Sequence, residues 1–123
     1  MVNFDELLER SDYVTLHTDL NETSHHLMST AAFKAMKNTA VLINLARGPV
    51  VDELALVHAL QTGEIAGAAL DVFEHEPLPA DSPLRAMDNV LLAPHNCNSS
   101  PKAWENVHHS TLNQLLDGLK AER

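Results

Sequence analysis

The chain has 123 residues, a length that fits one domain with a real core, and its 45% hydrophobic and 20% charged content is that of an ordinary globular fold. Its apolar runs are too short to span a bilayer. The formal net charge of −9 with 8 scattered basic residues speaks against a nucleic-acid surface. The single Cys97 leaves no internal disulfide and fits a reducing compartment, and residues 1 to 6 lack the pattern of a signal peptide, so a cytoplasmic location is expected.

Asn3 followed by Glu6 resembles a capping box and predicts a short helix over residues 3 to 10. Tyr13-Val14-Thr15-Leu16 is β-branched and aromatic and reads as a strand, ending in the polar loop 17 to 23. Ser29 caps a second helix through about Met36, with Ala32, Phe33 and Met36 on one face. Residues 40 to 45 form the next strand, broken by Gly48-Pro49. Asp52 then caps a third helix with Leu54, Val57 and Leu60 as its apolar stripe and Gly63 as its end. Ile65 to Phe73 reads as a strand. Glu74 to Asn89, with prolines at 77, 79 and 83, reads as an irregular surface loop. Val90 to Ala93 is the last strand, after which Ser100 and Pro101 start a long helix whose Leu112, Leu115, Leu116 and Leu119 form a buried stripe. This alternation predicts an α/β fold, a mostly parallel sheet of about four short strands flanked by helices and buried on both faces.

Parallel strands place Arg47, Glu76 and His95, each just beyond an apolar run, at one edge of the sheet. The carboxyl edge is where open α/β sheets bind ligands. Alone, each has a bland reading: a strand-end arginine is usually a surface ion-pair partner, and a loop carboxylate or histidine usually has no role. The histidine pairs His25-His26 and His108-His109 lack a carboxylate or cysteine at ligand spacing and read as solvated surface, so no metal is expected. Cys97 has no partner base in the sequence and reads as incidental.

Three longer segments change the weighing. Leu42-Ile43-Asn44-Leu45-Ala46-Arg47-Gly48-Pro49-Val50-Val51-Asp52, Gly67-Ala68-Ala69-Leu70-Asp71-Val72-Phe73-Glu74-His75-Glu76-Pro77-Leu78 and Ala93-Pro94-His95 resemble, in order, the arginine, acidic and histidine segments of the D-isomer-specific 2-hydroxyacid dehydrogenases, a family that includes phosphoglycerate and glyoxylate/hydroxypyruvate reductases. The resemblance implies a Rossmann-like fold and hydride transfer between NAD or NADP and a small 2-hydroxy or 2-keto acid. It implies His95 as proton donor, Glu76 as the carboxylate that orients and charges its ring, and Arg47 as the clamp on the keto acid. Asp71 would meet the nicotinamide end of the cofactor. Leu45, Ala46, Arg47, His95 and the loop at His17 and Thr23 would line the same groove.

The chain departs from the family in having no Gly-x-Gly-x-x-Gly turn; its glycines, at 48, 63, 67 and 118, are dispersed. Asn96, Cys97 and Asn98 stand where glycines are common, and asparagine tolerates unusual backbone angles, which leaves a similar turn open there. The expectation is therefore that residues 1–123 are the carboxyl-terminal half of a dinucleotide-binding domain, without the glycine-rich half and the substrate domain, and with little turnover alone. The alternative is a non-catalytic, self-associating structural domain, because a bared strand at Tyr13 to Leu16 recruits a partner, most simply in a homodimer.

Overall fold

A computed structural model describes residues 2–97 and 99–121, with the backbone only of residue 121. The helices are α1 (Phe4–Arg10), α2 (Thr30–Ala35), α3 (Glu53–Thr62) and α4 (Pro101–Ala121), and the strands are β1 (Tyr13–Leu16), β2 (Val41–Asn44), β3 (Gly67–Leu70) and β4 (Val90–Leu92). Single 3-10 turns occur at Gly48–Val50 and Pro83–Ala86. The sheet runs β1-β2-β3-β4 with every pair parallel. Its register aligns Leu16, Asn44, Leu70 and Leu92 in one row, so the loops after all four strands open on the same edge.

Local chemistry explains the helix starts. Asn3 Oδ1 accepts from the Glu6 N–H at 2.8 Å, while the Glu6 carboxylate pairs with Arg10. Asp52 Oδ1 accepts from the Ala55 N–H at 3.0 Å, and Gly63 closes α3 in the left-handed conformation, φ 72°. Ser100 Oγ accepts from the Ala103 N–H at 3.0 Å and starts α4.

The core joins Val14, Leu16, Leu42, Ala68 and Leu70 of the sheet with Leu8, Phe33, Leu56, Ala59 and Leu60 of the helices. Full burial of a side chain such as Phe33, Leu42 or Leu56 is worth about 1.5–3 kcal/mol each. Burial alternates along β1 and β2, which corrects the expectation of strands covered on both faces: Tyr13 and Leu91 on the opposite face are both 71% exposed, and Val41, Ile43 and Ala69 are half-buried.

Other expectations are corrected too. In α3 the inward face is Ala55, Leu56, Ala59 and Leu60, while Leu54 is 83% exposed, because the cap at Asp52 fixes which side of the helix meets the sheet. The third strand is shorter than Ile65 to Phe73, since Phe73 leaves the sheet to pack its backbone on Gly48. The stretch 74 to 89 is no mere surface loop: Leu78 and Leu84 are buried in the core. The stripe of α4 is not buried, for Leu112, Leu115, Leu116 and Leu119 are all more than half exposed, and among the described residues none of α4 belongs to the core. Among the described residues no helix is long and apolar enough to cross a membrane.

Candidate active site

At the end of β2, Asn44 is 1% exposed and satisfied on both sides of its amide: Oδ1 accepts from the Ala46 N–H and Nδ2 donates to the Arg47 carbonyl, each at 3.0 Å. This tight turn throws Arg47 outward. Its guanidinium donates to the Ala46 carbonyl at 2.7 Å. Gly48 follows because nothing larger fits: a Cβ there would lie 1.7 Å from the Phe73 carbonyl oxygen.

At the end of β3, the buried Asp71 carboxylate accepts from the backbone N–H groups of Asn96 at 2.8 Å and Cys97 at 2.9 Å. Burial works to raise its pKa, but the Cys97 thiol, these two N–H groups and the nearby His95 charge outweigh burial and hold it below the ordinary 3.8. In return Asp71 pushes the Cys97 thiol up, which disfavours the thiolate.

The loop so anchored carries His95 at φ 53°, a left-handed conformation that histidine adopts more readily than most residues. Of the residues after it, Asn96 and Cys97 are not left-handed, and the expectation for Asn98 lies outside the described residues. His95 Nδ1 lies 2.8 Å from Glu76 Oε2, and Glu76 Oε1 accepts from the Phe73 N–H at 3.0 Å. The hydrogen bond from His95, then that from Phe73, holds the Glu76 carboxyl below its ordinary value. A carboxylate can only accept, so Nδ1 carries the proton and Nε2 is left for other partners. The pair borders a cavity of about 540 Å³ lined by Phe73, Leu78, Leu92 and Pro94.

The structure therefore joins Glu76 and His95 directly and ties Asp71 to their loop. Arg47 stands at the same edge but is bonded to its own turn. Leu45, 40% exposed, and Ala46, 8% exposed, sit in that turn as well. His17 and Thr23 are exposed on the first loop and bonded locally, His17 Nε2 to Thr15 at 2.9 Å and Thr23 Oγ1 to Asn21 at 2.7 Å. One pair escaped the sequence: His26, read as solvated, is half-buried with Nε2 2.7 Å from Glu74 Oε1. The partners are 48 positions apart, so no local spacing could reveal them. Among the described residues there is no cluster of three or more side chains able to hold a metal.

A family model described as D-isomer specific 2-hydroxyacid dehydrogenase, NAD binding domain, matches residues 1–97. A glyoxylate reductase of Thermofilum pendens is 49% identical over 120 residues, 98% of this chain and 35% of that protein. Among solved structures, a D-isomer specific 2-hydroxyacid dehydrogenase of Xanthobacter autotrophicus in complex with NADPH and MES superposes with a TM-score of 0.73 at 49% identity, covering 75% of this chain and 30% of that one. A D-lactate dehydrogenase of Lactobacillus jensenii with NAD+ gives 0.86 at 35% identity, covering 99% and 41%. The chain spans about a third of the length of the curated relatives it matches, from 35% to 37%. The matched stretch takes in all four strands and the loops that carry Arg47, Asp71, Glu76 and His95, and the chain belongs to the D-isomer specific 2-hydroxyacid dehydrogenase family, in its NAD-binding domain.

Proposed function

We propose that residues 1–123 are the carboxyl-terminal half of the dinucleotide-binding domain of an oxidoreductase that moves hydride between NAD or NADP and the C2 carbon of a small 2-hydroxy or 2-keto acid, as a homodimer in a reducing cytoplasm. The observation that carries this reading is the His95–Glu76 contact at 2.8 Å, with Glu76 itself held by the Phe73 N–H. In the reduction, His95 Nε2 gives its proton to the keto oxygen, and Glu76 stabilises the imidazolium beforehand and fixes the tautomer through Nδ1. Arg47 exchanges the Ala46 carbonyl for the substrate carboxylate, a planar partner that its fork matches on two nitrogens.

When bound, the reduced cofactor supplies the hydride. The residues present suit its nicotinamide end: the turn at Leu45 and Ala46, the buried Asp71 carboxylate and the His95 loop meet at one edge of the sheet, with His17 and Thr23 on the neighbouring loop. They do not supply the pyrophosphate end, because no stretch of the sequence offers a glycine-rich turn of N–H donors. Titration calorimetry with NADH is therefore expected to show weak binding, at or below the millimolar range. NADH oxidation with glyoxylate, hydroxypyruvate or pyruvate is expected to be undetectable. Absence of any heat would overturn the cofactor groove, and robust turnover would overturn the half-domain.

A second reading is a self-associating domain without catalysis. The exposed stripe of α4 and the exposed Tyr13 on the edge strand β1 favour it.

A further inference from the structure

We propose that His26 and Glu74 form a positioning pair that holds the Arg47 turn and the Glu76 turn in fixed relation across the carboxyl edge of the sheet. The inference rests on the functional reading of Arg47, Glu76 and His95 given above, and it assigns a task to residues outside that trio. His26 is in the left-handed conformation, φ 51°, and its N–H donates to the Pro49 carbonyl at 2.9 Å. The Met28 N–H donates to Val50 at 3.0 Å and the Asp52 N–H to Met28 at 3.1 Å, so the segment 26 to 28 is stitched along the chain that leaves Arg47.

The His26 ring then reaches across to the other turn. Its Nε2 meets Glu74 Oε1 at 2.7 Å, while Glu74 Oε2 accepts from the Glu53 N–H at 3.2 Å and the Glu74 N–H donates to Glu53 Oε2 at 3.3 Å. Each carboxylate thus accepts from the backbone N–H of the other residue, and the Glu74 carboxylate has the imidazole as a further partner. The exposed His25 ring stacks on His26 with centroids 4.0 Å apart. Glu74 is joined by a single peptide bond to Phe73, whose carbonyl packs on Gly48 and whose N–H holds Glu76 Oε1. A displacement of Glu74 is therefore passed to the Phe73 amide, and from it to the carboxylate that grips His95. Neither His26 nor Glu74 borders the cavity beside His95, so the pair acts through the backbone and not on a bound molecule.

An ordinary half-exposed ion pair adds little and would leave Glu76 unaffected. The two are distinguished by NMR on the whole isotope-labelled chain, with no cofactor or substrate added, so that a failure of the NADH titration would leave this test standing. Three variants are compared with the parent: Glu74→Gln, which removes the charge; His26→Asn, which tolerates the left-handed backbone but is too short to reach Glu74; and Leu60→Ala, which loosens the core away from the pair. The readouts are the pH midpoint of the Glu76 carboxyl, the hydrogen exchange of the Phe73 amide and the thermal midpoint.

Both pair variants are expected to raise the Glu76 midpoint by on the order of half a pH unit and to speed Phe73 exchange about tenfold or more. Leu60→Ala is expected to lower only the thermal midpoint. The proposal is overturned if the Glu76 and Phe73 readouts stay at parent values in both pair variants, or if Leu60→Ala moves them equally. Loss of folding in Glu74→Gln alone leaves His26→Asn to decide; loss of folding in both also overturns it, since the pair would then determine the fold as a whole.

Discussion

Gly48 is where the two turns of the site touch, and it is the position at which side-chain size matters most. Its missing Cβ would meet the Phe73 carbonyl oxygen at 1.7 Å, and backbone cannot step aside as a flexible side chain would. Gly48→Ala is therefore expected to destabilise the chain by about 1–3 kcal/mol or more, read from the urea midpoint. Asp71 sets a second expectation, with a definite sign. Its folded pKa lies below the ordinary 3.8, so its stabilising contribution is complete above that value and is lost as pH falls through the lower, folded value. Asp71→Asn replaces one of the two accepting oxygens with an NH2 donor that faces one of the two N–H groups, and should cost about 1–3 kcal/mol at neutral pH. The gap from the parent should narrow in urea titrations taken progressively below pH 3.8. An unchanged gap down to pH 2 would sink this account.

Among the elements, α4 stands apart. Trp104, Val107, Leu115 and Leu119 repeat at helical spacing and are each more than half exposed, yet no other part of the described chain covers them. Most of a helix's stability in a protein comes from packing its amphipathic face, so the apolar face of α4 calls for a covering surface. Cutting the chain after Ser100 is expected to move the thermal midpoint by less than about 4 °C, the equivalent of roughly 1 kcal/mol, because the core loses nothing. Light scattering should show the intact chain self-associating and the shortened one monomeric. A shortened chain that unfolds far earlier, or an intact chain that is monomeric at every concentration, would count against it. The edge strand β1 is the lesser candidate for such contact, since only its Tyr13 and Thr15 face outward.

For the whole molecule, the order of elements was legible because each begins with local chemistry: Asn3, Asp52 and Ser100 announce their helices by the oxygen they offer, and Val14, Leu42 and Leu70 lie in short apolar runs. The trio at the carboxyl edge was legible as positions, since parallel strands must deliver the loops at their carboxyl ends to one side. The features that stayed hidden depend on contacts between distant parts. The choice of Leu56 over Leu54 as the inward residue needs the sheet in place, and the half-buried His26 needs Glu74. The same holds for the bare face of the sheet and for α4, because a hydrophobic stripe records a need for cover without saying whether the chain itself supplies it.

The strand order has a consequence for synthesis. Because β1, β2, β3 and β4 lie side by side in the order in which they are made, no strand has to wait for a later one to be inserted between it and its neighbour. Each new strand can be added to the growing edge of a sheet that already exists, and each addition closes a loop of modest length. Once Asn44 has emerged β1 can pair with β2, and β3 and then β4 add in turn to the edge that the preceding strand offers.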